Sequence, residues 1–411
     1  TMAVTLVFSE AVCTVSSVCG SNVFSSAPDI TVPNLDNGTT SGTLAAMTSS
    51  DNITWAGRFT PTANTEDASN TLSLTTSSYT DLAGNAGPSA TTANYEVETW
   101  APSVNVNGVE ITSATDIQNN FLNADDVLSV TVTFRESVIV DNASGTPTLT
   151  LVVGTTNPKA TYTSGSGGTT MVFRYTIQAG ETDDNGISIG ANVLALDNGT
   201  ISDPAGNNAT LTHSPVSDNS SYKVDTTPPT VSSVAITSAT TGIQNSFVNA
   251  GDNVSVTATF SEPVIVDNAS GNPTLTLVVD NTNRAATYAS GSWTSGNGST
   301  PLVFRYTIQA GDTNDDNGIS IGENALNSDN ITVTDLAGNI ADDLTHDSVG
   351  HNENFMVDTT APTVISFDIS DDLLTKNETM TVDLVFSEPV CAVAGVNLCA
   401  IVFSQGTIVS P

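Results

Sequence analysis

Apolar and polar side chains alternate strictly along one stretch of the chain, with Leu128, Val130, Val132 and Phe134 set against Ser129, Thr131 and Thr133. The pattern returns as Val254, Val256, Ala258 and Phe260 against Ser255, Thr257 and Thr259. A period of two predicts strands with one face in a core and the other in water. Residues 148–153 and 274–279 read as a further matched pair of strands. So do residues 172–177 and 303–308, with Phe173, Tyr175, Ile177 and Phe304, Tyr306, Ile308 directed inward. Clusters of Gly, Asn, Asp and Ser between these runs read as turns. No run sustains a 3.6-residue apolar period, so helices are expected to be short or absent.

The strands belong to a repeated unit. Phe-Ser-Glu-Ala-Val at Phe8, Phe-Arg-Glu-Ser-Val at Phe134, and Phe-Ser-Glu-Pro-Val at Phe260 and at Phe386 follow one another at intervals of 126 residues. A repeat of that length is domain-sized, which makes the chain a series of modules rather than a solenoid. Val97-Glu98-Thr99-Trp100-Ala101-Pro102, Val224-Asp225-Thr226-Thr227-Pro228-Pro229 and Val357-Asp358-Thr359-Thr360-Ala361-Pro362 mark the seams. Proline there removes a ladder donor and fixes φ, ending one module and stiffening the passage to the next. The expected division is a module over residues 1–99, complete modules over 100–226 and 227–359, and the start of another over 360–411. Each full module is expected to be an antiparallel β-sandwich of seven or more strands. The outer modules share a shorter lead-in to the motif and carry the cysteines, giving two module types in the order A-B-B-A. Residue 1 falls inside a strand pattern, which favours a window from a longer array. The alternative is that one subunit's C-terminal segment completes the next subunit's first module.

Charge narrows the partners. Forty-three acidic side chains face eight basic ones, a formal net charge of −35. Phosphate recognition needs clustered Lys and Arg, so nucleic acid is excluded, and anionic membrane surfaces are disfavoured. No stretch reaches the length of a membrane span. An acidic surface with Asp and Asn on its turns attracts hard divalent cations, calcium first; solubility alone is the competing reason for such a charge. The four cysteines form two close pairs, Cys13/Cys19 and Cys391/Cys399, each expected to close a short surface loop as a disulfide in an oxidising, extracellular setting.

A late loop recurs as Asp81-Leu82-Ala83-Gly84-Asn85, Asp203-Pro204-Ala205-Gly206-Asn207 and Asp335-Leu336-Ala337-Gly338-Asn339. Together with the Phe-Ser-Glu-x-Val motif and the Val-Asp-Thr-Thr-x-Pro seams, it resembles the bacterial immunoglobulin-like repeats of giant surface adhesins and related exported fibre proteins. The resemblance covers essentially the whole chain. It implies tandem immunoglobulin-like sandwiches braced by calcium near the junctions, held by the seam acids Glu98, Asp225 and Asp358 with Asp81, Asp203 and Asp335. The first seam departs from the pattern, with Glu98 in place of Asp and Trp100 in place of Thr. The residues themselves leave a second account open, in which Asp caps a turn and Gly supplies positive φ. The motif glutamates Glu10, Glu136, Glu262 and Glu388 are candidate ligands too, or strand-end residues facing solvent.

Other candidates carry less. The loop from Asp312 to Gly318, followed by Glu323, fails as an EF-hand because its glycine falls one place late and no helices flank it. It and its counterpart from Glu181 to Gly186 read as solvated hairpin turns. His213 and His346 sit at equivalent positions and read as framework. No nucleophile pairs with a repeated base and no phosphate loop is present, so an enzyme is not expected. Trp293, in an insertion at residues 292–301 of the third module, is the best candidate contact for a carbohydrate or cell-surface ligand, ahead of Trp55 and Trp100. The expectation is an extracellular, non-enzymatic adhesin stalk or fibre stiffened by calcium. The alternative is a subunit of a self-assembling filament or surface layer, whose partners are copies of itself.

Overall fold

The computed structural model describes residues 1–15, 23–25, 28–35, 38–239, 243, 246–267, 271–291, 301–328 and 332–390. Cys19, Cys391, Cys399 and Trp293 lie outside these residues; Cys13 is described and buried. The described chain is all β-structure, without a helix, and divides into two compact units, Thr1–Val224 and Asp225–Pro411.

The first unit holds two cores. One gathers Phe24, Met47, Trp55, Phe59 and Leu74, with Trp55 buried and meeting Phe24 edge-on at 4.9 Å. Its opening strand, Met2–Val7, runs antiparallel to Thr54–Pro61. The other core gathers Leu128, Val130, Val132, Phe134, Met171, Phe173 and Ile177. These residues come from a long central strand, Val127–Asp141, flanked by Val104–Ala114 on one side and Gly168–Thr176 on the other. Lower along its course the central strand changes partner and pairs Ile139–Asp141 with Thr200–Ser202. One strand thus serves both sheets of the sandwich, and Glu136 sits where it crosses between them.

The second unit repeats this plan. Asn253–Phe260 lies between Val231–Ala239 and Leu302–Thr307, over a core of Val254, Val256, Ala258, Leu277, Phe304 and Ile308. The strand alternation read from sequence is present, with one exception: Ser255 is buried rather than facing water. Each of these two sandwiches also contains a parallel pair, Phe121–Leu122 with Lys223–Val224 and Phe247–Val248 with Met356–Val357, inside an otherwise antiparallel scheme. The parallel pair brings the module's last strand back beside an early one and buries Leu122, Val224, Val248 and Val357 completely. Because this last strand runs straight into the seam, its register fixes where Asp225 and Asp358 emerge. The second unit also contains a hairpin of Val364–Ile369 with Val382–Phe386.

The Glu181–Gly186 and Asp312–Gly318 loops are not solvated turns. Asp183 is buried and accepts from the Gly154 and Gly186 amides; Asp315 accepts in the same way from the Asp280 and Gly318 amides. Asp312 is buried too, bound by Arg284 at 2.7 Å and by the Tyr306 hydroxyl. Burying these carboxylates is tolerated because backbone donors satisfy them. Gly318 has φ +88°, and a Cβ there would meet the Asn352 carbonyl at 2.0 Å, so the turn needs glycine. His213 and His346 act as framework: Nε2 accepts from the Val193 amide in one copy and from Ala325 in the other.

Phe304→Ala deletes a fully buried ring and is expected to cost about 3–5 kcal/mol. Calorimetry should show one transition moving down while that of the sandwich around Phe173 stays in place; a uniform shift of all transitions would contradict separate cores.

Candidate functional site

The central strand, the seam and the late loop meet at one place in the second unit. In the second unit Asp225 ends the strand Lys223–Asp225, Glu262 follows the strand Asn253–Phe260, and Asp335 opens the late loop after Thr332–Thr334. One carboxylate oxygen from each lies within 4.8 Å of the others. Asp335 is buried, while Asp225 and Glu262 are half-buried.

The loop holds its aspartate by a specific device. The Asn339 amide donates to Asp335 Oδ1 at 2.9 Å and its side-chain Nδ2 donates to Oδ2 at 2.8 Å. Nδ2 also donates to the Asp225 carbonyl at 2.8 Å, tying the loop to the seam backbone. The Ala337 amide makes a further bond to Oδ1 at 2.8 Å, and Gly338 supplies φ +93°. Asp225 Oδ1 accepts from the Thr227 amide at 3.0 Å. The capped-turn reading of this motif therefore holds, and the same aspartate also joins the acidic cluster. The asparagine was not recognised as a functional residue from sequence, although its recurrence at the end of all three loops was a usable signal.

Electrostatically the cluster is uncompensated. Burial first, then the charges of Asp225 and Asp335 and a hydrogen bond with Asp225, push the Glu262 carboxyl up to about 7. No lysine or arginine enters that balance. Burial likewise raises Asp335, against the pull of its Asn339 bonds. Like charges this close favour a shared proton or a bound cation. A donor set of three carboxylate groups fits a hard, oxygen-seeking cation such as calcium and not a soft metal.

The first unit has a looser version. Glu136 is raised by burial first, then by Glu98, Asp203 and Glu66. Glu66 is paired across the ladder with Glu98, and it too was missed in the sequence. Asp203 is buried and held by Asn207 at 2.8 and 2.7 Å, with Asn207 Nδ2 reaching the Glu98 carbonyl at 3.2 Å. Glu98 Oε1 is engaged by the Trp100 amide at 2.6 Å. At the last seam Glu388 is raised by burial and then by Asp358, to which it is hydrogen-bonded. Asp81 is held by Asn85 in the same way but is only half-buried, and these bonds keep it below the ordinary range; Glu10 is exposed. Of the other tryptophans, Trp55 is buried and closed to ligands, whereas Trp100 is exposed.

Residues 21–97 match the family described as bacterial Ig-like domain. No curated protein sequence matches the chain. Among solved structures, a DUF4785 family protein from Legionella pneumophila is 8% identical with a TM-score of 0.18, over 85% of this chain and 84% of that one. Domains 4–9 of the surface layer protein SbsC are 12% identical with a TM-score of 0.15, over 90% of this chain and 50% of that one. The immunoglobulin-like domain points to an extracellular or surface structural protein. Among the described residues no helix is long and apolar enough to cross a membrane.

Without a cation, the raised Glu262 carboxyl means that the folded state holds a proton which the unfolded chain releases near 4.5. The resulting stability is present in full below about 4.5 and is lost as pH rises through about 7, an effect of about 1 kcal/mol after discounting for solvent screening. In chelator, the melting midpoint of the second unit should fall between pH 5 and pH 8. Glu262→Gln should flatten that slope, and a slope that persists in the variant would exclude Glu262 as its source.

Proposed function

We propose that the chain is part of a non-enzymatic extracellular stalk or fibre, built from modules at residues 1–99, 100–226, 227–359 and 360–411, whose seams are stiffened by calcium. The observation that carries this reading is the convergence of Asp225, Glu262 and Asp335. These three come from the seam, the central strand and the late loop, so one ion bridging them ties the seam residue Asp225 to two elements of the second unit. Asp225 and Glu262 repel until an ion occupies the space between them. The half-buried position makes that repulsion stronger than it would be in water. Glu98, Glu136 and Asp203 repeat the arrangement, with Glu66 adding charge; Asp358 and Glu388 supply two of the same elements at the last seam. Asp81, bound to Asn85, serves as a turn cap.

The bacterial immunoglobulin-like match supports the module type and an outside location. Pairing of Cys13 with Cys19 and of Cys391 with Cys399 as disulfides belongs to the same reading, because each pair would close a loop of a chain that works in an oxidising medium.

Calcium at about a hundred times its dissociation constant should stabilise the second unit by about 2.7 kcal/mol. The midpoint and the maximum dimension in solution scattering should both rise when calcium replaces EDTA. The double variant Glu262→Gln, Asp335→Asn should lose most of that response. Identical midpoints and dimensions in calcium and in EDTA would overturn the stiffening.

A further inference from the structure

The first unit contains both the sandwich around Trp55 and the sandwich around Phe173, and the chain passes from one to the other through residues 97–104. The sandwich behind holds that passage as far as Thr99. Val97 and Glu98 are laddered to Asp67 and Glu66. The Thr99 amide donates to the Thr65 carbonyl at 2.8 Å, and its hydroxyl donates to the Thr62 carbonyl at 2.7 Å. The Thr65 amide donates back to that hydroxyl at 3.0 Å. Thr65 is buried, so these bonds are shielded from competing water.

The sandwich ahead takes hold at Pro102. The Thr210 amide donates to the Pro102 carbonyl at 2.7 Å, Ser103 forms a parallel bridge with Thr210, and the Arg135 amide donates to the Ser103 carbonyl at 2.9 Å. Between the two holds lie only Trp100 and Ala101. The Trp100 amide is drawn back to Glu98 Oε1, and Ala101 precedes a proline that restricts it. The sandwich ahead also reaches behind Thr99. Asn207 Nδ2 donates to the Glu98 carbonyl at 3.2 Å, while both oxygens of Asp203 keep that asparagine in place. Glu98 is thus gripped from both sides, laddered to Glu66 of one sandwich and bonded to Asn207 of the other.

We infer that the two sandwiches of the first unit turn as one body with no cation present, fastened by Asn207 and Thr99, and that the seam at Glu98 is not a hinge. A hinge needs a few residues whose φ and ψ are free to change. Here the passage is closed into a ring. Its two ends, the Glu98 and Pro102 carbonyls, are bound to one short segment of the sandwich ahead, at Asn207 and Thr210. Rotation about Trp100 or Ala101 must therefore break one of those bonds. Rotation before Thr99 must break the ladder to Glu66 or the grip of Thr62 and Thr65. Each bond of this kind favours the closed joint by about five- to tenfold. Asn207 is a positioning residue in this arrangement, and Asp203 aims it. The inference goes beyond the calcium reading and does not depend on it, because an ion would brace a joint that is already fastened.

Residual dipolar couplings of the isotopically labelled full chain, weakly aligned in an uncharged medium with EDTA, test this. Alignment tensors fitted separately to the Trp55 and Phe173 sandwiches should agree in magnitude and axes. Thr99→Val keeps the side chain's shape and removes its hydroxyl; Asn207→Ala removes the donor to Glu98. In the double variant the two magnitudes should part by about twofold, because an opened joint becomes populated. Unchanged chemical shifts around Trp55 and Phe173 show that both cores stay folded. Should Asn207→Ala disturb its own sandwich, Thr99→Val alone gives the same reading with the sandwich ahead untouched. Unequal tensors in the unaltered chain, or tensors that stay equal in the variants, would each overturn the inference. Tensors that agree only after calcium is added would sink it and leave the calcium stiffening standing. Tensors that agree in EDTA, beside a second unit indifferent to calcium, would sink the calcium stiffening alone.

Discussion

Asp225, Glu262 and Asp335 are brought together by backbone register, and nothing of opposite charge comes with them. The parallel pairing of Phe247–Val248 with Met356–Val357, and of Phe121–Leu122 with Lys223–Val224, fixes the exit of each last strand. The central strand fixes the glutamate, and the asparagine latch fixes the loop aspartate. Three independent elements thus deliver three carboxylates to one spot in a chain with only eight basic side chains. A cluster held that way is a cost to the fold unless a proton or a cation enters it. The raised Glu262 carboxyl is the direct expression of that cost. Stiffness at the seam, in this account, is the mechanical side of the same electrostatic constraint.

The repeats differ in how completely they meet the constraint. The seam at Asp225 gathers three ligand groups, and that at Glu98 gathers a wider set in which Glu98 already serves the Trp100 amide. A difference of this kind would make the joint at Asp225 firmer than the one at Glu98. The substitution of Trp100 for threonine in the first seam falls where the set is loosest.

Much of this was legible in the sequence because it depends on period and spacing. The alternation at Leu128, Val130, Val132 and Phe134 announces a half-buried strand, and the 126-residue interval announces the module. The seam acids and the loop aspartates were legible from their recurrence. The parallel pairs were not, since a two-residue strand such as Phe121–Leu122 has no period to read. Ser255 was assigned to water by alternation, yet the structure buries it. The loops at Asp183 and Asp315 looked like surface turns because they are rich in acid, and a carboxylate buried under backbone amides has the same composition as an exposed one. Asn207 and Asn339 were passed over because capping needs only the aspartate and the glycine; their bond to the seam carbonyl is a long-range contact that no local pattern encodes.

The central claim is that the carboxylate cluster is a cation site. Equilibrium dialysis of the full chain with radioactive calcium at neutral pH tests it most directly. Saturable binding is predicted, with at least one ion per chain lost in the double variant Glu262→Gln, Asp335→Asn. Binding that does not saturate, or a count unchanged by that variant, would contradict it.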